Sequence, residues 1–186
     1  MRSALLLLVL LGVAPLGAQN AQVRNGSWVS FGLGFGFAHV SCRGCDSTRK
    51  SGAAAQVRFG WTLNQRLLLG AELNVFSRSR TGATTTLGNV SAALYYYPSR
   101  TNGFFVKGGV GRADVWSTSG PFTTGNGLGF VAGLGYDVRL GKRTSVTPVG
   151  SFYYGNIGEL SGNGQSSSGL DWKQNVFDFA VAVTFH

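Results

Sequence analysis

The chain has little of what most enzymes use. Two histidines, two cysteines and seven acidic residues stand among 186 positions, and no paired carboxylates, glycine-rich phosphate loop or dinucleotide fingerprint occurs, so no cofactor is expected. A closed zinc site takes four ligands. The one place where candidates gather offers three, His39, Cys42 and Cys45, which argues against a metal centre. Long hydrophobic runs are missing too. Beyond Leu5 to Val13 no apolar stretch approaches the roughly 20 residues a helix needs to cross a bilayer core of about 30 Å, and helical membrane spans are excluded. Charge is scarce, at 12% of residues, and skewed, with 16 Lys and Arg against 7 acids. The basic residues are scattered singly, with no helix or aromatic platform to carry them, so nucleic acid is not an expected partner.

What is present begins with an export pattern. Arg2, the apolar run from Leu5 to Val13 and the small-residue stretch "PLGA" ending at Ala18 read as a secretory signal peptide over residues 1–18. The domain proper is then 19–186. No cysteine follows Ala18, which argues against a lipid-anchored mature terminus. Export also bears on "SCRGC": in an oxidising compartment Cys42 and Cys45 are expected to form a loop disulfide rather than a catalytic dithiol or metal site.

The rest of the chain carries 29 Gly, 13 Phe, 6 Tyr and 4 Trp, too apolar and aromatic for disorder. Their arrangement is the main signal. In "SWVSFGLGFGFAH", Val29, Phe31, Leu33, Phe35 and Phe37 alternate with Ser30, Gly32, Gly34, Gly36 and Ala38, and strand side chains alternate between faces. A row of glycines cannot be the outer, water-facing side of a soluble sheet. The same alternation recurs in segments 52–62, 66–78, 84–97, 104–116, 127–140, 144–155 and 175–186. The segment from Thr144 is the weakest, and its Pro148 is expected at a rim or bulge because proline cannot donate to a ladder.

Eight such segments are joined by short connections ("LNQ", "PSRTNG", "GKR") alternating with longer ones (40–51, 79–83, 117–126 and 156–174). That pattern predicts an all-β, eight-stranded antiparallel up-and-down transmembrane barrel, with short periplasmic turns and longer extracellular loops. The greasy face then meets lipid and the small or polar face lines the interior. Closure leaves no unpaired backbone in the hydrocarbon. Outward-parity aromatics fall in two groups: Trp61, Tyr96, Phe104, Tyr136 and Phe185 near the short turns, and Phe37, Trp116, Phe130, Tyr154 and Phe177 near the long loops. Both read as interfacial girdles. The last long connection, rich in Gly and Ser, reads as a mobile loop.

Together with the signal peptide, the parity rule and the ending "AVAVTFH", the chain resembles the small eight-stranded outer-membrane β-barrel superfamily, of the OmpA transmembrane-domain and OmpX kind. The resemblance implies a monomer in the outer membrane of a Gram-negative-type bacterium, delivered by the barrel-assembly machinery; in that family the terminal signal usually ends on the aromatic residue, whereas here His186 follows it. Short "HVS", His39 to Ser41, matches a His-x-Ser arrangement of an outer-membrane lipid A deacylase family. That family carries the motif late in the chain, and no acid stands beside His39, so an enzyme is not expected.

Inward parity collects a charge network of Arg58, Glu72, Arg78, Lys107, Asp137, Arg139 and Asp178. Lys107 is expected close to opposite Asp137, and Arg58 near-diagonal to Glu72. A charge left alone in a narrow lumen costs several kcal/mol, so these read as a plug of ion pairs, with a narrow charge-selective pore or small-solute binding barrel as the alternative. Around the long-loop rim, Arg43, Arg49, Lys50, Arg80 and Lys173 would meet the phosphorylated sugars of lipopolysaccharide. The functional expectation is a surface or envelope-integrity protein with a filled polar lumen.

Overall fold

A computed structural model describes residues 23–43, 48–118, 123–162 and 165–186, with side chains omitted at 123 and 165–170. The expected signal peptide and Cys45, and with it the expected loop disulfide, lie outside the described residues. Nine strands follow in chain order: β1 Ser27–Ser41, β2 Lys50–Asn64, β3 Leu67–Arg80, β4 Ala83–Tyr96, β5 Phe104–Ser117, β6 Thr123–Tyr136, β7 Val138–Arg139, β8 Thr144–Gly162 and β9 Gln165–Phe185. The sheet order is β6-β5-β4-β3-β2-β1-β9-β8-β7, and β6 also pairs with β8, so the sheet closes on itself. Every pairing is antiparallel.

The short β7 continues β6 rather than adding a stave. Gly135 pairs with Val149 and Val138 with Val146, in one register. The gap between β6 and β7 lies opposite Thr147 and Pro148, where proline has no N–H to give. Pro148 thus lies at an interruption of the ladder beside the turn-side girdle residue Tyr136, in line with the rim or bulge expected for it. Eight staves result, as the alternation predicts.

The parity is also as predicted. Phe31, Leu69 and Leu134 are 52%, 47% and 56% exposed, and their neighbours in sequence point inward. All ten girdle aromatics take the outward side, and eight of them are among the exposed large hydrophobics. On the inner face the glycines have a specific reason at two places: a Cβ on Gly34 would lie 1.9 Å from the carbonyl oxygen of Phe179, and one on Gly111 1.9 Å from that of Val90. Only a residue without a side chain lets the neighbouring backbones come that close.

The connections differ from the expected lengths. Arg80 pairs with Ala83, leaving Thr81 and Gly82 (φ 47° and 81°) as a two-residue turn of the kind hairpins favour. The segment read as a mobile loop is instead an extension of the β8–β9 hairpin, with Ser161 paired to Ser166 and Gly162 to Gln165. Register shifts at Asn156, Gly158 and Leu160 bend it. One end of the barrel therefore projects by paired strand, not by loop. We call it the loop end, and the other, where Val23 and His186 lie, the turn end.

Candidate functional site

The interior is the candidate site, because most of the buried charges among the described residues, Arg58, Glu72, Lys107, Asp137 and Asp178, converge there. Arg58 is directly opposite Glu72 across β2 and β3, not diagonal to it. Lys107 on β5 reaches over β4 and forms an ion pair with Glu72 Oε1, both side chains being fully buried. The same carboxylate accepts from Asn74 Nδ2 at 2.7 Å and, through Oε2, from Tyr95 Oη at 2.6 Å. Asp178 acts electrostatically on Lys107 from β9. Four charges from four strands thus share one level of the lumen.

Lys107 does not meet Asp137. Its register partner is Gly133, because the β5–β6 hairpin, in which Ser117 pairs with Thr123, turns two residues earlier than the sequence spacing suggests. Asp137 instead closes the turn end, where its carboxylate accepts from Tyr97 Oη at 2.8 Å and Thr147 Oγ1 at 2.7 Å. From there a hydroxyl chain runs back across the barrel: Thr147 to Thr184 at 2.9 Å, Thr184 to Ser30 at 2.9 Å, and Ser30 to Arg58 Nη2 at 2.8 Å. Each hydroxyl has one proton. Since Thr147 spends its proton on Asp137 and Arg58 can only donate, the sense is fixed: Arg58 to Ser30 to Thr184 to Thr147 to Asp137. Such an oriented chain from cation to carboxylate polarises every bond in it.

Arg24, ahead of β1 and invisible to any periodicity argument, is fully buried at the turn end. Its guanidinium lies 3.6 Å from the Tyr97 ring centroid, and donates to the carbonyls of Asn102 at 2.7 Å and Gln65 at 3.3 Å. Gln65 returns the contact, its side chain bonding the Arg24 backbone at 2.7 and 3.1 Å. A bond from Arg139 Nη2 to the Val23 carbonyl at 2.9 Å holds the same segment from the far wall. Arg139 thus stands at the turn-end rim of the network, where Asp137 acts on it electrostatically. The space left among these groups is about 10 Å³, at the lower limit for one water.

Beside it, His186 is held by its backbone N–H on the Arg143 carbonyl at 2.8 Å, while neither ring nitrogen has a hydrogen-bond partner in the protein. Burial, with the Arg139 cation adding to it, brings the imidazole down to about 4. The unfolded chain, titrating near 6.5, takes up this proton first. The resulting stabilisation is present above pH 6.5 and is lost as pH falls towards 4. We expect the denaturation midpoint of a His186→Asn variant to fall less steeply than that of the parent between pH 6.5 and 4. Equal slopes would contradict the buried neutral imidazole.

Towards the loop end the lumen turns apolar. Phe76, Leu87, Val115, Tyr153, Leu160 and Val176 are buried in one cluster. Trp28, Leu68, Tyr95 and Phe105 belong to the same cluster nearer the turn end, so apolar side chains pack alongside the polar network and the polar lumen expected from the sequence describes only part of the interior.

The basic rim separates by side. Lys50, Arg78 and Arg80 have inward parity and line the mouth of the barrel; Arg78, counted from sequence with the lumen charges, donates to the Ser51 carbonyl at 3.2 Å at that mouth. Arg49 goes the other way, its guanidinium 5.6 Å from the ring centre of Phe177 on the outer wall. Lys173 pairs with Asp171 at 3.2 Å and Arg112 with Asp114 at 2.7 Å, both on outward parity, with Arg112 flanked in register by the exposed Val90 and Leu128. Arg43 is exposed in the β1–β2 connection. His39 faces an amide, Asn175 Nδ2 at 3.5 Å, and Ser41 pairs in register with Lys173. Neither contact supplies the carboxylate that would orient a catalytic histidine.

A closed antiparallel barrel with an apolar outer belt, two aromatic girdles and an interior packed with paired charges is a membrane-spanning β-barrel of the outer-membrane type. The family model for the outer membrane protein beta-barrel domain matches residues 4–185, and the chain belongs to that family. Solved structures of similar fold include Ail, the attachment invasion locus protein of Yersinia pestis, with a TM-score of 0.59 and 13% identity over 87% of this chain and 99% of that one. Neisserial surface protein A is similar with a TM-score of 0.56 and 14% identity, covering 88% of this chain and 98% of the other. No curated protein sequence matches the chain.

Proposed function

We propose that the protein is a non-enzymatic surface barrel of the outer membrane. Its wall anchors it, its lumen is closed, and its loop end, facing outward, makes the functional contacts. The observation that carries this reading is the double closure of the lumen: the Glu72–Lys107–Arg58 level lies below, and the apolar cluster around Phe76 and Leu87 above. An ion crossing would have to displace buried paired charges at several kcal/mol each and then pass between the packed side chains around Phe76 and Leu87.

Arg49 supports lipopolysaccharide as a partner of the outer wall. A guanidinium resting on a girdle aromatic sits at headgroup depth, where each basic contact contributes on the order of 1 kcal/mol; Arg43 and Lys173 lie at the same end. The chain acts as a monomer, since the belt is continuous around the wall and needs no second copy to cover it in lipid. In planar bilayers the purified protein is expected to give no conductance steps. Reproducible steps that disappear when the lumen is blocked would establish the pore reading instead.

A further inference from the structure

We propose that the mouth of the barrel is a binding site for a small amphipathic anion: a single carboxylate-type head on a short apolar tail. A cavity of about 310 Å³ opens at the loop end, at the small end of the roughly 300–1,000 Å³ range of ligand pockets. Its lining has a clear polarity. Lys50, Arg78 and Arg80 stand at the rim, while Phe76 and Leu87, buried in the lumen, form the floor and Trp172 forms part of the wall. Among the described residues no acidic side chain lines it.

The arrangement follows from the strand parity. The apolar inward positions Phe76 and Leu87 are cross-strand partners on β3 and β4. Two and four residues further along β3 on the same face come Arg78 and Arg80, and Lys50 begins β2 beside them. The indole of Trp172 is fixed by its Nε1 bond to Gln174 Oε1 at 3.2 Å, so the wall is set before a ligand arrives. A bare inorganic anion would satisfy the cations but lose its hydration over a floor of rings and aliphatic carbon. A neutral hydrocarbon would fill the floor and offer the Arg78 and Arg80 guanidiniums at the rim no acceptor. An anion with a tail satisfies both, head at the rim and tail on Phe76 and Leu87. The site lies above the lumen closure and does not depend on whether the lumen conducts.

The test uses the full mature chain in lipid nanodiscs, with folding verified by heat-modifiable migration, and 8-bromooctanoate as probe, whose bromine quenches a nearby indole. The parent should show saturable quenching that is absent from a Trp172→Phe variant. An Arg78→Ala, Arg80→Ala double variant should raise the half-saturation concentration about tenfold or more, the scale of losing charge-assisted hydrogen bonds. Octanoate should compete, and sulfate or 1-octanol far less well. Ala83→Trp, which leaves the cations in place and fills the cavity, should abolish saturable quenching. The proposal is overturned by quenching that is linear and equal in Trp172→Phe, which is membrane partitioning. It is equally overturned by an unchanged double variant, by sulfate competing as well as octanoate, or by normal binding in Ala83→Trp. Conductance of the same purified protein in planar bilayers reads the closed-lumen proposal separately.

Discussion

Replacing Glu72 by Ala is expected to destabilise the barrel by about 3–5 kcal/mol, the usual consequence of removing one partner from a buried ion pair. Glu72 is the single acceptor for the Lys107 ammonium, the Asn74 amide and the Tyr95 hydroxyl, and it lies directly opposite Arg58. Its loss removes the acceptor of three buried donors and leaves Lys107 with only the electrostatic support of Asp178. Guanidinium unfolding in lipid, followed by the loss of heat-modifiable migration, measures the change. A Glu72→Leu, Lys107→Met pair should recover most of the loss, because an apolar replacement of a whole buried pair is often neutral or better. Recovery should stop short of complete. Tyr95 and Asn74 remain without their acceptor, and each unsatisfied buried group costs about 1–3 kcal/mol. The size of the single-variant effect also bears on function. A loss below about 1 kcal/mol, typical of solvated pairs, would mean that water reaches Glu72 and that the lumen is open to solvent.

Why parity was legible in the sequence while register was not follows from the geometry of a hairpin. Alternation depends only on odd and even positions, so Phe31, Leu69 and Leu134 could be assigned to one face without knowing where any turn lies. Register depends on the turn centre. Moving that centre by two residues shifts the partner by four and leaves parity intact, so the pattern gives no warning. Lys107 against Asp137 is that case. The loop end failed for a different reason. Outside the membrane both faces of a strand meet water, the apolar half of the alternation disappears, and the Gly- and Ser-rich stretch that pairs along β8 and β9 looks like a loop. Arg24 had no signal at all, since it precedes the first strand and is fixed by Gln65 and Tyr97 from distant turns. Lys50 and Arg80 are the instructive intermediate. Extending the parity count past the apolar belt sends them into the mouth and separates them from Arg49, a division that composition alone does not suggest.

The lipid-facing assignment itself predicts a contrast between two leucines. Leu33 sits midway between the girdle-side residues Val29 and Phe37, pairs in register with Val181 and Ala55, and is 75% exposed. Leu87 is 1% exposed, inside the lumen. Leu87→Ala should cost about 2–5 kcal/mol, the sum of lost transfer energy and a residual cavity. Leu33→Ala should cost far less, because lipid tails close around the shortened side chain and no cavity remains. Leu33→Arg should raise the cost at Leu33 to the scale of Leu87→Ala, at about 2–4 kcal/mol for a cation near the bilayer midplane, and the penalty should shrink when the same change is made at Phe37, nearer the headgroups. A soluble protein gives the opposite pattern at Leu33, with arginine tolerated on an exposed strand. Unfolding free energies in lipid for these four variants thus separate an oil-facing wall from a water-facing one without any knowledge of ligand or partner.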